Sequence, residues 1–487
     1  MGKVYLVGAG PGDPGLITVR GKHLLERADC IVYDRLANPR LLSLTGEHCR
    51  LIYAGKAASR HTMRQEEINA LLVRCAQEYE TVVRLKGGDV YVFGRGGEEG
   101  LYLLEHGVDF EVVPGISSSI GGLAYGGIPV THRGLSHGFH VVTAHDKDDK
   151  LTDLDFPSMA RSKETLVFLM GLSKVGEIST NLLEAGMSPQ TPAAVISHAA
   201  LPSQQTVSAP LGELEQALRR HPLSSPALIV VGEVVSLRER LNFFERLPLF
   251  GRSVFLPHPG KESSPLAERF EQLGAKVTEA CTGELREIPG AFSEDMLEGI
   301  RCLAFSSKHG VDAFFHGLFA AGKDARSLAG ISVAAVGNST ADRLCSYGVR
   351  ADLVPDTFYS EALCKSIREA GFSGKETLLI KVRGSLPPCF EEFGVRMLEL
   401  YENCPVQGET LREQAGEGGF TDLVFSCSSA VHAVVKAFGT ECLRKSRCFS
   451  IGEKTSHTLR TYGAAPIQAQ RADLDSLARA VITGGKS

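Results

Sequence analysis

The chain has 487 residues, 43% hydrophobic and 22% charged, which suggests about three or four domains of ordinary size. A net charge of −5 with no compensating basic stretch argues against a nucleic-acid binder. Without a basic-then-apolar leader or an apolar run of about 18 residues, neither secretion nor membrane insertion is expected, and the reading is cytoplasmic. The twelve cysteines include no C-x-x-C, so they read as free thiols acting as small hydrophobes, and no metal site is expected.

Strands are predicted at Val4–Val7, Cys30–Tyr33, Thr81–Leu85, Leu166–Met170 and Ala227–Val231. Amphipathic stretches such as Gln65–Ala76 separate them, which predicts an α/β architecture with mostly parallel sheets. The first strand runs into GAGPGDPG, where Gly10 to Gly15 formally satisfy the dinucleotide fingerprint G-x-G-x-x-G. That fingerprint starts directly after the strand, at Gly8, and would then need glycine where Asp13 stands. Pro11 and Pro14 also remove N–H groups that a pyrophosphate loop would donate. The segment therefore reads as a stiff wall beside a ligand, and a nicotinamide oxidoreductase is the poorest candidate.

Two more glycine-rich stretches follow, RLKGGDVYVFGRGGEE (84–99) and VPGISSSIGGLAYGGIPVTHRG (113–134). Glycines after strands let the backbone approach a ligand closely, and three such loops within 135 residues favour a ligand cleft over ordinary turns. Asp34 follows a strand and is able to hold or abstract a proton, or else caps a helix or pairs with Arg35. Lys56 follows another strand, with a solvated surface charge as its alternative. Arg95 and Glu98 lie in the second glycine-rich turn, where the alternative is a structural ion pair.

A break is expected over Leu237–Arg252, before a fresh strand at Ser253–Leu256. The second half carries an internal repeat offset by about 115–120 residues. LAFSSKHGVDAFFHGL (303–318) matches LVFSCSSAVHAVVKAF (423–438), and VAAVGNSTADRLCSYG (333–348) matches CFSIGEKTSHTLRTYG (448–463). Each copy reads as strand, Ser-rich turn, helix, strand, glycine and helix, which suggests two similar α/β lobes facing each other across a cleft. Ser306-Ser307 and Ser426 open one pair of helices; Gly337 to Thr340 and Gly452 to Thr455 open the other. Such ends bind carboxylates or phosphates, or are plainly capped by Ser and Thr.

GAGPGDPGLIT, ADCIVYDRL, RLKGGDVYVFGRGGEE, PGISSSIGGLAYGGIPVTHR and SPALIVVGEVV, in that order, resemble uroporphyrinogen-III C-methyltransferase over residues 1–245. The resemblance implies the tetrapyrrole-methylase fold, with two α/β lobes at about 1–115 and 116–245. It implies S-adenosylmethionine as methyl donor and two methylations of uroporphyrinogen III, giving precorrin-2. Cofactor contacts carry over to Pro11, Gly87, Gly88, Asp89, Val92, Ser117, Ser118, Met170 and Ala199. Asp34 matches the family's proton acceptor and Lys56 its donor; Arg95 is a further acid/base candidate read mainly as a carboxylate clamp, with Glu98 beside it. Val90-Tyr91 departs from the usual Pro-Phe, and Ala199 stands where glycine is common.

Residues 251–487 resemble uroporphyrinogen-III synthase through FSSKHGVDAFF, VAAVGNSTADRL, LELYENCPV, LVFSCSSAV and FSIGEKTSHTL. This implies a two-lobed synthase-type α/β fold with an internal repeat, lobe 1 about 251–287 plus 401–487 and lobe 2 about 288–400. It implies cyclisation of hydroxymethylbilane with loss of water. Tyr401 matches the candidate acid, and Ser306, Ser307, Thr340, Ser426 and Thr455 match the substrate positions. The synthase product is the methyltransferase substrate, so the fusion feeds siroheme or cobalamin synthesis, and a homodimer through the methyltransferase half is implied. The alternative is a related precorrin methylase fused to a non-catalytic ligand-binding module.

Overall fold

The computed structural model describes residues 1–46, 48–55, 63–144, 151–260, 263–357, 359–384, 386–416 and 419–484. The chain divides into two units: Met1–Arg252 with Arg269–Lys276, and Ser253–Glu268 with Val277–Ser487.

The first unit contains two five-stranded sheets. The first is built from β1 (Lys3–Gly8), β2 (Cys30–Tyr33), β3 (Arg50–Tyr53), β4 (Thr81–Lys86) and β5 (Phe110–Val113). They lie in the order β3-β2-β4-β1-β5, and every pairing is parallel. Parallel strands covered on both faces need apolar side chains in both directions, and Val4, Leu6, Val7, Ile31, Val32, Val82 and Val83 are buried accordingly. One face packs under the helices Gln65–Glu78 and Gly96–Glu105 through Leu72, Cys75 and Leu103. The other packs under the helix Val19–Arg27 through Leu25. The helices that follow β1 and β4 thus cover opposite faces, so these two neighbouring strands form a topological switch point, the place where open α/β sheets hold ligands.

The second sheet has β6 (Phe139–Thr143), β7 (Thr165–Leu169), β8 (Pro192–Ser197), β9 (Gln205–Pro210) and β10 (Ala227–Val231) in the order β6-β7-β10-β8-β9. Here only β6 and β7 run parallel; β7, β10, β8 and β9 pair antiparallel, so the expected parallel bias does not extend to this sheet. The short connection between β8 and β9 explains the antiparallel turn, because a parallel return needs a crossover of a dozen residues. The strand expected to end at Met170 ends one residue earlier, because Met170 takes a left-handed φ of 56° that a strand does not accept.

The second unit is organised around one nine-stranded sheet: β11 (Ser253–Pro259), β12 (Lys276–Glu287), β13 (Cys302–Phe305), β14 (Ser332–Ala335), β15 (Thr377–Val382), β16 (Arg396–Pro405), β17 (Asp422–Phe425), β18 (Arg447–Ser450) and β19 (Ile467–Gln468). The order is β14-β13-β15-β16-β12-β11-β17-β18-β19. The internal repeat is visible in that order, since β13 with β14 on one side mirrors β17 with β18 on the other, each pair parallel. The two halves meet where β12 and β16 run antiparallel, Gly283 opposite Pro405 through Glu287 opposite Tyr401. Each half keeps its own core, one around Phe305, Phe314 and Phe315 and the other around Phe425, Val431 and Phe255.

Candidate functional site

At the switch point the three glycine-rich loops come together backbone to backbone. Gly10 and Gly88 exchange hydrogen bonds, N–H to O=C, at 3.2 and 2.7 Å, so the first loop is laced to the loop after β4. A Cβ on Gly115 would lie 2.3 Å from the Gly88 carbonyl oxygen and 2.7 Å from Gly8 Cα, distances that no side chain tolerates. Asp89 binds this cluster with its carboxylate: Oδ1 accepts the N–H groups of Tyr91 (2.8 Å) and Val92 (3.1 Å), and Oδ2 accepts that of Gly115 (3.0 Å). Gly88, at φ +68°, faces the start of the helix Ser118–Tyr125; a Cβ there would have only Ser118 N and Ser117 Cα near it, at 3.9 and 4.0 Å. Ser117 caps that helix, accepting the Ser119 N–H. Gly87 packs on Leu36, and Val92 sits partly exposed on the loop that Asp89 organises.

The remaining cofactor positions lie on the second sheet's loops or against them. Pro11 packs against Gly121, whose added Cβ would meet Pro11 Cγ at 2.9 Å. Ala199 is buried, with its carbonyl near Gly12 and its methyl near Gly122. Met170 and two residues flanking Ala199, His198 and Ala200, all have positive φ, a conformation held only where surrounding structure imposes it. The proline-rich wall itself is braced by Asp13, the residue that breaks the dinucleotide fingerprint. Its Oδ1 caps Gly15 N at 2.7 Å, and its Oδ2 accepts the Tyr125 hydroxyl at 2.6 Å. Burial and that carboxylate push the Tyr125 phenol well up, so the proton stays on tyrosine and the link persists.

Asp34 follows β2 on the face that also carries Arg84 and Lys86. Its Oδ1 accepts the Leu36 N–H at 3.0 Å and its Oδ2 meets Arg84 at 3.4 Å. The ion-pair partner of Asp34 is this buried arginine, which β4 places two residues before Lys86, and not Arg35, the pairing raised as an alternative. Glu99, fully buried on the helix Gly96–Glu105, receives Lys86 Nζ (2.8 Å), Arg84 Nε (3.2 Å) and Gln65 Nε2 (3.2 Å) on one oxygen. Burial and the adjacent Arg84 lower the Lys86 pKa against the pull of Glu99. The signal for this cluster was present in the sequence: TVVRLK puts two cations on one face of a central strand that is otherwise apolar. Arg95 and Glu98 form a two-point ion pair at 2.8 and 2.6 Å on the exposed start of the same helix, the structural alternative weighed for them. Lys56 lies outside the described residues.

In the second unit the structure brings three of the expected residues together. Tyr401, buried on β16, shares a 2.7 Å hydrogen bond with the Ser307 hydroxyl. Ser307 also caps the helix Lys308–Ala320, accepting Gly310 N at 3.1 Å, so capping and partnering coincide in one side chain. Ser306 is turned to the Ile380 carbonyl, donating at 2.9 Å. Burial raises the Tyr401 pKa, against the Ser307 and Ser306 hydroxyls and the Val382 backbone, so the phenol carries its proton at neutral pH. Thr340 and Thr455 are buried at matching places, in the first turn of the helices Asn338–Ser346 and Glu453–Thr461 that follow β14 and β18. Ser426 is half-buried after β17, the counterpart of Ser306 after β13.

A further pair of equivalent polar clusters escaped the sequence reading. Beyond β11, Glu279 of β12 accepts Ser263 Oγ at 2.5 Å and Ser264 N at 2.6 Å, with His258 Nε2 3.3 Å away. Beyond β15, Glu399 of β16 accepts Gly384 N at 2.8 Å, beside Lys381, which donates to the Gly384 carbonyl at 2.7 Å. Each carboxylate anchors the loop at the C-terminal end of the neighbouring strand. Only the weak similarity of VTEAC to MLELY signals this relation in sequence.

Among the described residues no helix is long and apolar enough to cross a membrane, and no group of His, Cys, Asp and Glu is placed to hold a metal ion. The family Tetrapyrrole (Corrin/Porphyrin) Methylases matches residues 3–215, and Uroporphyrinogen-III synthase HemD matches residues 264–479. Porphyrin biosynthesis protein HemD of Ruminiclostridium josui is 34% identical over 98% of this chain and 97% of its own length. The uroporphyrinogen-III C-methyltransferase of Bacillus subtilis is 44% identical over 67% of this chain and 68% of its own. A siroheme synthase of Nitrosomonas eutropha is 46% identical over 50% of this chain, which covers 51% of that protein. Among solved structures, the uroporphyrin-III C-methyl transferase of Thermus thermophilus complexed with S-adenyl homocysteine is 44% identical, with a TM-score of 0.43, over 48% of this chain and 100% of its own. The chain belongs to the family in which a tetrapyrrole methylase is fused to a uroporphyrinogen-III synthase.

Proposed function

We propose that the second half closes hydroxymethylbilane to uroporphyrinogen III with loss of water, and that the first half methylates this product on two pyrrole carbons to give precorrin-2. The observation that carries the reading is the identity with the Ruminiclostridium josui protein, which runs through both halves and nearly the full length of each chain. The order of events follows from chemistry, because the macrocycle made by one half is the methyl acceptor of the other.

S-adenosylmethionine, when bound in the first half, supplies an electrophilic methyl group to an electron-rich pyrrole carbon. The residues fit such a group: beside Gly88 the backbone is open, and a Cβ there would come no nearer than 3.9 Å to Ser118 N and 4.0 Å to Ser117 Cα. Gly87, Asp89 and Val92 on one loop, and Pro11, Met170 and Ala199 on others, shape the remaining walls in this reading. Their task is alignment and exclusion of water, and alignment alone is worth several powers of ten in rate. Asp34 takes up the proton that leaves the methylated ring, one net proton for each methyl group gained, and any proton that Lys56 donates to the macrocycle is matched by a further one leaving it. Arg95 exchanges Glu98 for a substrate carboxylate, which costs little because both partners are exposed.

In the second half Tyr401 donates the proton with which the bilane hydroxyl departs as water, and the Ser307 hydroxyl orients the phenol. Ser306, Ser426, Thr340 and Thr455 receive the substrate's carboxylates at helix starts, where backbone N–H groups point outward. The protein works in the cytoplasm as a homodimer through its methylase half. Incubating the full chain with hydroxymethylbilane alone tests the second half, since isomer III supports a synthase and isomer I alone a non-catalytic module. Calorimetric titration with S-adenosylmethionine tests the first, and no binding at millimolar concentration overturns that half of the reading.

A further inference from the structure

The buried charges Arg84, Lys86 and Glu99 have no assigned part in the chemistry, yet Arg84 and Lys86 sit where a parallel sheet normally places valine or isoleucine, and Glu99 faces them from the helix Gly96–Glu105. Burying three charged groups is costly unless their partners are fixed by hydrogen bonds. Arg84 is fixed on several sides. Its Nε faces Glu99 at 3.2 Å, one terminal nitrogen donates to the Val32 and Leu85 carbonyls at 3.4 and 3.3 Å, and the other reaches Asp34. Glu99 is in turn held by Lys86 and Gln65, all on the same oxygen, and is wholly removed from solvent. The chain of contacts runs from the helix Gly96–Glu105 through a rigid guanidinium to one carboxylate at the sheet's ligand edge. We infer that Arg84 is a positioning residue for Asp34, and that Glu99 sets the orientation of Arg84, so that the Asp34 carboxylate is fixed in the geometry in which it takes the substrate proton. This rests on the proposed role of Asp34 in methyl transfer.

The planar guanidinium is what the arrangement requires, because one ion must serve Glu99, two carbonyls and Asp34 in different directions at once; a lysine ammonium offers no such fork. Lys86 and Glu99 neutralise each other, which leaves the Arg84 charge to Asp34.

The test uses the full chain with uroporphyrinogen III and S-adenosylmethionine, comparing Arg84→Met, Arg84→Lys, Glu99→Gln and Asp34→Asn, and the doubles with Asp34→Asn. Arg84→Met is expected to lower kcat about tenfold or more while KM for either substrate moves less than about twofold. Arg84→Lys is expected to recover part of the loss, and Asp34→Asn/Arg84→Met to be no slower than Asp34→Asn alone, because residues acting as one unit are not additive. Glu99→Gln, which keeps shape and an acceptor, carries the same test should Arg84→Met fail to fold, with an expected kcat loss of about threefold that also vanishes in the Asp34→Asn background. Losses that multiply in the doubles, or that appear only in KM, overturn the inference while leaving the Asp34 role standing. A fully active Asp34→Asn overturns the role itself, and the inference with it.

Discussion

Replacing Tyr401 by Phe removes one oxygen from a buried site and leaves the ring packing intact. In the structure that oxygen lies 2.7 Å from Ser307 Oγ, while Ser307 also accepts the Gly310 N–H at 3.1 Å. The substitution thus costs one internal hydrogen bond but leaves the helix cap in place, a net loss of about 1 kcal/mol. For a unit of this size that lowers the melting temperature by roughly 2–4 °C. The effect on rate is expected to be larger. A positioned acid contributes about 10²–10⁴, and a phenol whose pKa burial has raised belongs at the low end of that range. Formation of uroporphyrinogen III is therefore expected to fall about 100-fold without vanishing, because folding the bilane toward closure does not need the hydroxyl. Isomers I and III are separated chromatographically after oxidation, with thermal unfolding measured on the same preparation. An undiminished rate of isomer III formation in a folded Tyr401→Phe variant would refute the acid role. A melting point lowered by more than about 10 °C would show that the hydroxyl holds the fold rather than the chemistry.

Gly115→Ala drives a methyl group to 2.3 Å from the Gly88 carbonyl oxygen, so the laced loops must separate. A cost of about 1–3 kcal/mol or more is expected, with S-adenosylmethionine binding lost by calorimetry; unchanged affinity counts against the glycine cluster as a cofactor wall. Asp13→Ala releases both the Gly15 cap and the Tyr125 hydroxyl, and about 2 kcal/mol should be lost in chemical denaturation. His258 and Glu279 give the second unit a pH window. The Glu279 hydrogen bond raises the His258 pKa against burial, so this contribution is full below about pH 6.5 and fades as pH rises through the folded value. Burial raises Glu279, but the bonds from His258, Ser263 and Ser264 outweigh it and hold its pKa down. Its contribution is full above about pH 4.3 and fades as pH falls through the folded value. Stability of the wild type relative to His258→Gln should therefore be greatest between those limits, as read from denaturation midpoints across pH; a flat difference refutes the pairing.

Much of the fold was legible because its signals are local. Apolar runs ending in glycine or a charged turn marked β1, β2, β4 and β10, and the repeated Ser-rich turns marked the matching pairs β13 with β14 and β17 with β18. The antiparallel run of β7, β10, β8 and β9 was not legible, since buried strands look alike whichever way they run, and only connection length separates them. At the site, Ser307 and Tyr401 were both named, but their 2.7 Å contact joins residues 94 apart in sequence. Asp13 counted against a dinucleotide loop, but its bracing role was not legible because a carboxylate between two prolines resembles ordinary turn chemistry, and its tyrosine partner lies 112 residues away. Arg84, Lys86 and Glu99 were passed over although a charged pair inside an apolar central strand breaks the pattern, and such breaks occur where a fold serves a function.

The most direct measurement supplies the full chain with hydroxymethylbilane and S-adenosylmethionine labelled in its methyl group, and follows products by mass and absorbance under exclusion of oxygen. The expected result is precorrin-2 carrying two labelled methyl groups, with uroporphyrinogen III accumulating when the methyl donor is withheld. Uroporphyrinogen I as sole macrocycle, or uroporphyrinogen III left without label in the presence of the donor, would contradict it.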